Sequence, residues 1–383
     1  MVKRKIGALA GSLMLTCALF LTAAPVAGAE PFGVSSASAI LYEPAFGQVL
    51  YEKDIHTPRP MASTTKIMTA LLGLEKCAPD TEITVPDAAV RVEGTALGLR
   101  GGDKITMVDL ITGLLLVSGN DAANVVAYTV SGSIPAFAEE MNRRAAEIGM
   151  KDTTFVTPSG LDEGEHSSSA YDMALLAAEA MKNETFTQIC QKQNAVIRFG
   201  NPVREVSVHN HNKLLALYDD AVGIKTGFTK KSGRCLVSAA VRDGVTLIAV
   251  TLKAGDDWND HISMYEYGFQ QVKAVAPPAA ALPALPVAGG TADEVTVTAE
   301  APPAFPLPAG SESRVRAVIE APQFLLAPVE AGQQVGTVRY LLDDRELCRI
   351  PLLTTDGVEA RPVATYGERF IRYLKGLLAG FAG

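Results

Sequence analysis

The sequence predicts an α+β fold for a large main domain, followed by a small all-β domain and a short amphipathic helix. Three observations favour this architecture. Short apolar runs of strand type stand at both ends of residues 30–273, helical periodicity fills the middle, and a Pro- and Ala-rich stretch precedes a second set of short strands. We expect one antiparallel sheet that takes strands from both ends of the main domain and is covered by the central helices.

The first 29 residues have the pattern of a secretory signal peptide. Basic residues at 3–5 precede an apolar stretch from Ile6 to about Ala24, and Ala27-Gly28-Ala29 offers a small-residue cleavage site. An uncleaved membrane anchor is the alternative. The pattern predicts an exported protein.

Composition is that of a globular protein. Of the 383 residues, 48% are hydrophobic and 20% are charged, which suffices for a sizeable core. The formal net charge of -8 argues against nucleic acid as the main partner, because a phosphate backbone attracts a basic surface. Beyond the leader, the cysteines are widely separated, and we expect isolated buried thiols at Cys77, Cys190, Cys235 and Cys348. A disulfide, which an exported chain can form, is the alternative.

The main domain, residues 30–273, opens with a hairpin. Strands Ser38–Tyr42 and Gln48–Glu52 flank a turn-rich segment, and a helix follows Ser63. The further predicted helices cover 107–116, 122–130, 134–148 and 171–182. Strands are then predicted at 195–199 and 203–208, at 235–241 and 246–252 around the hairpin signal Asp243-Gly244, and a last helix at 261–272.

The C-terminal part divides into a linker, a small β domain and a terminal helix. Residues 274–290 have the composition of a linker. Residues 291–366 predict a small β-sandwich, with strands at 294–298, 314–319, 335–342 and 346–352.

Residues 367–383 predict an amphipathic helix. Its apolar face consists of Phe370, Leu374, Leu377, Leu378 and Phe381, and off that face lie Arg369, Arg372 and Lys375. Such a helix is suited to a membrane interface but too short to span a bilayer. The alternative is a helix docked on the small domain.

The first chemical motif is Ser63-Thr64-Thr65-Lys66. Residues three apart on a helix share a face, so the Ser63 hydroxyl and the Lys66 amine can meet. A serine is a weak nucleophile without an adjacent base, and a lysine acts as that base only if its pKa falls. The Ser63 backbone amide, near a helix start, is available to stabilise an oxyanion. Alone, the motif is also that of a helix N-cap followed by a surface lysine.

The second and third motifs supply the remaining polar groups. Ser118-Gly119-Asn120 follows an apolar helix, and there Ser118 can relay a proton while Asn120 can hold a substrate carbonyl or the lysine. By itself this is an ordinary turn.

Lys225-Thr226-Gly227 belongs to a predicted edge strand. Its ammonium and hydroxyl can bind a free carboxylate, and Gly227 lets a substrate backbone approach closely. The Phe228 amide can be a second oxyanion donor, and a nearby Lys225 would lower the pKa of Lys66.

In this order, the three motifs resemble the S-x-x-K, S-D-N-like and K-T-G set of penicillin-binding proteins and class A β-lactamases. The chain resembles the D-alanyl-D-alanine carboxypeptidase family, the low-molecular-weight penicillin-binding proteins. The likeness extends to the residues around each motif and to Gly160-Leu161-Asp162 and Ala170-Tyr171-Asp172-Met173-Ala174, and covers residues 33–272. The C-terminal β domain and helix match the family's architecture.

The resemblance implies a β-lactamase/transpeptidase-like domain, an antiparallel sheet with a helical cluster. The implied activity removes the terminal D-alanine from peptidoglycan pentapeptides through an acyl-enzyme, which limits cross-linking and is blocked covalently by β-lactams. Ser63 resembles the nucleophile, Lys66 the general base, and Ser118 and Asn120 the second-motif pair. The substrate contacts would then come from Asn120, Lys225, Thr226, Gly227 and Phe228.

The implied partners are the stem peptide of peptidoglycan, β-lactams and, through the C-terminal helix, a membrane surface. No cofactor, metal or nucleic acid is expected. The resemblance and the leader together predict a location on the outer face of the cytoplasmic membrane or in the cell-wall space. His209 and His211 have no third ligand at metal spacing, and we expect them to be structural or surface residues.

One departure from the family concerns residues 256–260. Some members have an arginine just before the last helix that helps bind the substrate carboxylate, but Asp256-Asp257-Trp258-Asn259-Asp260 contains none. We expect the acidic residues of this segment in a solvated loop. Trp258 either lines the cleft or simply packs.

Two other functions compete with the carboxypeptidase. A serine β-lactamase would need a glutamate-held water, and the only glutamates near Gly160-Leu161-Asp162 are Glu163 and Glu165, without a clear E-x-x-x-N pattern. A non-catalytic penicillin-binding sensor would have no reason to keep Ser63, Lys66, Ser118 and Lys225 together.

Overall fold

The main domain has the predicted order of strands, helices and strands. The computed structural model describes residues 32–362 and 366–380, so the predicted signal peptide lies outside the described residues. The first half contains β1 (Ser38–Glu43), β2 (Gln48–Lys53), α1 (Lys66–Lys76), β3 (Glu82–Thr84), β4 (Lys104–Thr106), α2 (Met107–Leu116), α3 (Asn120–Ser131) and α4 (Ile134–Ile148). The second half contains α5 (Ala170–Ala180), α6 (Glu184–Cys190), β5 (Asn194–Gly200), β6 (Val203–His209), α7 (Leu214–Leu217), β7 (Ala221–Thr229), β8 (Gly233–Arg242), β9 (Val245–Ala254) and α8 (Asp257–Gln271).

The central sheet has five antiparallel strands in the order β2-β1-β9-β8-β7. Its strands come from both ends of the domain, as predicted. All six residues of β1 are buried, because β1 lies between two strands and is covered on both faces. The predicted hairpin joins β8 and β9, where Asp243 and Gly244 both have the positive φ of a tight two-residue turn. Strand β7, which carries the third motif, lies at the edge of the sheet.

A second sheet was not expected. Strands β5 and β6 pair with each other as predicted, but they join β3 and β4 in a separate four-stranded sheet of order β3-β4-β5-β6. Strands β3 and β4 have only three residues each, too few for an alternating pattern to be recognisable in the sequence.

The helical cluster is built around α1, α2 and α3. Their apolar side chains form one core with the inner residues of the central sheet, including Met68, Leu71, Ile111, Leu114 and Val126, all buried. Burial on nearly every side explains why α2 has only two polar side chains, Asp109 and Thr112. The flanking helices carry ordinary polar caps: Ser133 caps α4 and Ser169 caps α5 through their hydroxyls.

The small domain is all-β. Its strands are β10 (Val272–Val275), β11 (Leu285–Ala288), β12 (Glu294–Val295), β13 (Val297–Thr298), β14 (Phe305–Pro308), β15 (Val315–Glu320), β16 (Leu325–Leu326), β17 (Gln334–Leu342) and β18 (Arg345–Thr354). The largest sheet has the order β13-β18-β17-β15, and smaller ones have the orders β12-β11-β16 and β10-β14. Strand β11 falls within the segment predicted as a linker, since Leu285 and Val287 alternate with exposed residues and are buried in the small domain's core.

A turn of the central sheet contacts the small domain directly. Phe46, between β1 and β2, packs against the apolar cluster of Val275, Phe305 and Leu307. The Arg345 guanidinium lies 4.8 Å from the centre of the Phe46 ring, and its Nη2 donates a hydrogen bond of 2.5 Å to the Phe46 carbonyl. These contacts tie the small domain to the main sheet.

The last helix, α9 (Tyr366–Gly380), is exposed along residues 367–375. Phe370, Ile371 and Tyr373 are each more than half exposed. Part of the predicted apolar face, Phe381, lies outside the described residues. Among the residues that the structure describes, no helix combines the length and apolar character needed to cross a membrane.

The cysteines match the prediction in part. All four described cysteines are free thiols, and Cys190 and Cys235 are buried, whereas Cys77 and Cys348 are partly exposed.

Candidate active site

Ser63 lies in a short 3-10 turn, Ala62–Thr65, that runs directly into α1. The turn is started by Ala62, whose φ of 49° is in the left-handed region that a residue with a Cβ rarely adopts. Such strained residues persist only where the surroundings hold them, and they cluster at functional sites. Here the turn leaves the Ser63 side chain partly exposed, at the mouth of a cavity of about 420 Å³.

Lys66 is fully buried beneath Ser63. Its Nζ lies 2.9 Å from Ser63 Oγ, 2.7 Å from Asn120 Oδ1 and 2.6 Å from the Ser159 carbonyl. A neutral amine has two N–H groups and one lone pair. The two N–H groups can donate to the amide and carbonyl oxygens, which have no proton to give, and the lone pair then faces the Ser63 hydroxyl.

The pKa of Lys66 is held well below its ordinary value, firstly by burial and secondly by the charge of Lys225. Asp121 acts in the opposite direction. However, the carboxylate of Asp121 also accepts hydrogen bonds from the backbone of Leu97, Gly98 and Leu99, so its charge is shared among several donors. The environment therefore favours the neutral amine that a general base requires.

The second motif occupies the connection between α2 and α3. Asn120, the first residue of α3, is buried, and its Nδ2 donates to the Glu93 carbonyl at 2.6 Å while its Oδ1 accepts from Lys66. Both side-chain atoms are thus engaged within the protein, which favours the lysine-holding alternative over substrate contact. Ser118 has a φ of 67°, is 7% exposed and lines the same cavity as Ser63.

Lys225 and Thr226 form the opposite wall. The Lys225 side chain is 1% exposed, and its Nζ donates to the Thr226 carbonyl at 3.0 Å. Burial lowers the pKa of the Lys225 ammonium to about 7. Thr226 lines the cavity directly.

Gly227 lets the edge strand approach the nucleophile's own turn. A Cβ at this position would fall 2.9 Å from the Met61 carbonyl oxygen and 3.0 Å from the Ser63 nitrogen. We expected the missing side chain of Gly227 to make room for a substrate backbone. Instead, it makes room for the turn of this protein that carries Ser63. Phe228, next along the strand, lines the cavity and is 67% exposed.

Of the predicted residues, Ser63, Ser118, Thr226, Gly227 and Phe228 line one cavity. Lys66, Asn120 and Lys225 are buried in its walls. Sequence reasoning missed Thr95, Arg234 and Asp257 as further lining residues.

The expectation of solvated acidic residues at 256–260 is confirmed for the exposed Asp256 but is wrong for the other two aspartates. Asp257 and Asp260 are buried, and Asp257 begins α8, four residues earlier than the helix was predicted. Asp257 pairs with Arg234, while Asp260 accepts hydrogen bonds from the Ser35 backbone amide and hydroxyl at 2.8 and 2.9 Å. Trp258 lines the cavity, which resolves the alternative left open for it.

The histidines differ from one another. His211 is a surface residue, as expected, although it also lines the cavity, and partial burial followed by the charge of Lys225 lowers its pKa. His209 is exposed and bonded to Asn194. His166 is buried, and its Nδ1 accepts from the Val156 amide at 2.9 Å, so Nε2–H donates to Thr65 Oγ1 at 2.8 Å. Burial lowers the pKa of His166 to about 4, and the neutral ring braces the turn that carries Ser63.

Across the described ranges, no cluster of three His, Cys, Asp or Glu side chains has the arrangement of a metal site. A serine beside a buried lysine, facing a second lysine on an edge strand, defines the class of penicillin-binding serine acyl-transfer enzymes.

Comparison with known proteins gives the family. A family model described as D-alanyl-D-alanine carboxypeptidase matches residues 25–256, and one for the C-terminal domain of penicillin-binding protein 5 matches residues 278–360. The chain belongs to the D-alanyl-D-alanine carboxypeptidase family.

Individual relatives support the assignment to this family. The chain is 34% identical over 275 residues to D-alanyl-D-alanine carboxypeptidase DacF of Bacillus subtilis, covering 68% of this chain and 70% of the relative. It is 32% identical to D-alanyl-D-alanine carboxypeptidase DacC of Escherichia coli, covering 86% of each. Crystallised penicillin binding protein 5 from Haemophilus influenzae superposes with a TM-score of 0.63 at 26% identity, over 87% of this chain and 100% of that one.

The protein is accordingly a serine-type D-alanyl-D-alanine carboxypeptidase, a hydrolase that acts on the stem peptide of peptidoglycan and binds β-lactams. The family assignment favours this activity over the β-lactamase and sensor alternatives.

Proposed function

We propose that Ser63 is the acylated nucleophile and that Lys66 is its general base. One observation carries this assignment: a buried lysine whose other two hydrogen bonds go to carbonyl oxygens lies 2.9 Å from the serine hydroxyl. The lysine amine takes the serine proton as Oγ attacks the carbonyl carbon of the penultimate D-alanine.

The reaction then proceeds by acyl transfer. The Ser63–acyl ester bond forms, the peptide C–N bond breaks, and the leaving D-alanine amine takes up a proton. We assign its delivery to Ser118, which lines the cavity beside Ser63 and relays a proton from the Lys66 ammonium. Water then hydrolyses the ester, with Lys66 again accepting a proton, and Ser63 is regenerated.

The walls of the cavity supply the groups that stabilise the oxyanion and the terminal carboxylate of the substrate. The Ser63 and Phe228 backbone amides are proposed as the oxyanion donors, and Lys225 and Thr226 as the groups that bind the terminal carboxylate. Asn120 is assigned to positioning Lys66, in place of the predicted substrate contact, because both of its side-chain atoms are already engaged.

Two variants test the nucleophile and the base. Ser63→Ala should abolish both D-alanine release from a pentapeptide and the mass increase on penicillin treatment. Lys66→Arg keeps the charge but cannot release a proton usefully near neutrality, so acylation should fall by at least about 100-fold.

Exposed residues provide matched controls. Ser313→Ala in the small domain and Lys76→Arg at the end of α1 should acylate like the wild type. Retained acylation in a folded Ser63→Ala variant would exclude Ser63, and retained acylation in Lys66→Arg would assign the base elsewhere.

We also propose the domain organisation and location predicted from the sequence. The leader, residues 1–29, would direct export, and α9 would hold the mature enzyme at the outer face of the cytoplasmic membrane. The exposure of Phe370, Ile371 and Leu374 together with Arg369 and Arg372 supports an interfacial helix over one docked on the small domain.

A further inference from the structure

We propose that Arg234 is a specificity-determining residue, whose guanidinium binds the C-terminal carboxylate of the substrate together with Lys225 and Thr226. This inference rests on the proposed roles of Ser63 and Lys225. It concerns a residue outside all three motifs, on a strand that the motifs do not include.

The position of Arg234 follows from strand pairing. Arg234 lies on β8, directly opposite Phe228 of the edge strand β7. Its side chain is 42% exposed and lines the cavity that also contains Ser63 and Thr226. A substrate whose scissile carbonyl is at Ser63 and whose end lies along β7 therefore passes within the same cavity as this guanidinium.

The guanidinium is held in place on one side only. Nε donates to Asp257 Oδ1 at 2.9 Å, and Nη2 donates to the same oxygen. The guanidinium carbon lies 5.5 Å from the centre of the Trp258 ring. Because the ion pair uses Nε and Nη2, Nη1 has no hydrogen-bond partner among the described residues and can bind a ligand in the cavity.

Asp257 does not cancel the attraction for an anion. It is the first residue of α8, and the positive end of the helix dipole offsets part of its negative charge. Moreover, a second carboxylate can bind the N–H groups of Arg234 that Asp257 leaves free, since the planar guanidinium presents five donors. Asp257 therefore orients the arginine for substrate binding.

Among the described cationic groups around the cavity, the guanidinium of Arg234 differs in chemistry from the amines of the two lysines and the imidazole of His211. Burial brings the pKa of Lys225 to about 7, and burial followed by the charge of Lys225 lowers the pKa of His211, so neither group carries a full positive charge at neutral pH. The Lys66 amine is neutral as the base. Arginine remains protonated at all physiological pH values, and a fork of N–H donors fits a carboxylate better than a point charge does.

The test compares two soluble substrates, diacetyl-L-lysyl-D-alanyl-D-alanine and the same peptide with a C-terminal amide. In Arg234→Gln, kcat/KM for the acid should fall about 10- to 100-fold, the usual effect of losing a hydrogen bond to a charged group. For the amide it should change less than about 3-fold. Arg234→Lys, which keeps a charge but not the fork, should lie between the wild type and Arg234→Gln on the acid.

A matched control is Arg198→Gln, at an exposed arginine paired with Glu205, which should leave both substrates unaffected. Equal losses on acid and amide in Arg234→Gln, or no loss on either, would overturn the proposal. The role of Ser63 is tested separately by Ser63→Ala: if this variant still releases D-alanine, the proposed nucleophile is wrong. The ratio of kcat/KM for the acid to that for the amide in Arg234→Gln tests only the role of Arg234. Circular dichroism of each variant confirms that it is folded.

Discussion

Replacing Lys225 by methionine should stabilise the enzyme while impairing it. Lys225 is completely buried, and its pKa falls from 10.5 to about 7 in the folded protein. Each pKa unit corresponds to about 1.4 kcal/mol, so burying this group costs the folded state about 4 to 5 kcal/mol at pH 6–7. Methionine has a similar length and no charge, and it can fill the same space.

The pH dependence of the free energy of unfolding is a more specific test than the stability at one pH value. The folded-state pKa lies below the unfolded value, so between pH 7 and 10.5 the unfolded chain binds more protons than the folded one. The free energy of unfolding of the wild type should then rise with pH through this window, relative to Lys225→Met. From pH 6 to pH 9, the stability advantage of the variant should shrink by about 2.5 kcal/mol.

Urea unfolding at several pH values measures this difference. Trp258 is the only tryptophan, and it lies in the cleft, so its fluorescence reports the unfolding of the main domain. Lys231→Met, at an exposed lysine beyond the same strand, is the control and should change stability by less than about 0.5 kcal/mol. Parallel pH profiles for the wild type and Lys225→Met would refute the argument, because Lys225 would then hold its proton as tightly folded as unfolded.

Three further outcomes are expected. Gly160→Ala should slow acylation by penicillin at least about 10-fold, since its Cβ would fall 2.0 Å from the Ala62 carbonyl oxygen and displace the Ser63 turn; an unchanged acylation rate by mass spectrometry would contradict this. Phe46→Ala should lower the free energy of unfolding by about 1–2 kcal/mol, because the ring is only partly buried, and should speed amide exchange at β14 with acylation unaffected; unaltered exchange there would show that Phe46 does not couple the domains. Deleting the residues after Tyr366 should release the mature enzyme from anionic vesicles and leave activity on a soluble peptide intact, and a truncated protein that still sediments with vesicles would exclude α9 as the anchor.

Much of the architecture was predictable because it rests on long, periodic segments. The central helices and the strands of the β8–β9 hairpin bury continuous apolar residues, and the edge position of Lys225-Thr226-Gly227 is confirmed. Strands of two to four residues, such as β3, β4 and β11, were missed because they are held by pairing partners distant in sequence.

The motif residues were identifiable because serine, lysine and the K-T-G sequence carry chemistry that can be recognised without a structure. The groups that orient these residues and shift their pKa values could not be identified from the sequence. The Ser159 carbonyl beside Lys66 is a backbone group with no side-chain signal. Arg234 and Asp257 come together only through the pairing of β8 with β9, which sets Arg234 opposite Ala254, and through the start of α8 just beyond that residue. In the sequence alone, an acidic cluster has the pattern of a solvated loop until its arginine partner is located.

The placement of β1 has a consequence for the order in which the chain folds. This strand lies between β2 and β9, and its partner residues on β9, such as Val250 opposite Ile40, are more than two hundred positions away in the chain. The central sheet therefore cannot close until the whole segment through Ala254 has been synthesised and brought back to the N-terminal hairpin. Long-range pairing of this kind slows folding, because loop-closure entropy is lost before the contacts form. For the exported chain proposed above, a late closure would keep the polypeptide loose enough to pass through a membrane pore before it becomes an enzyme.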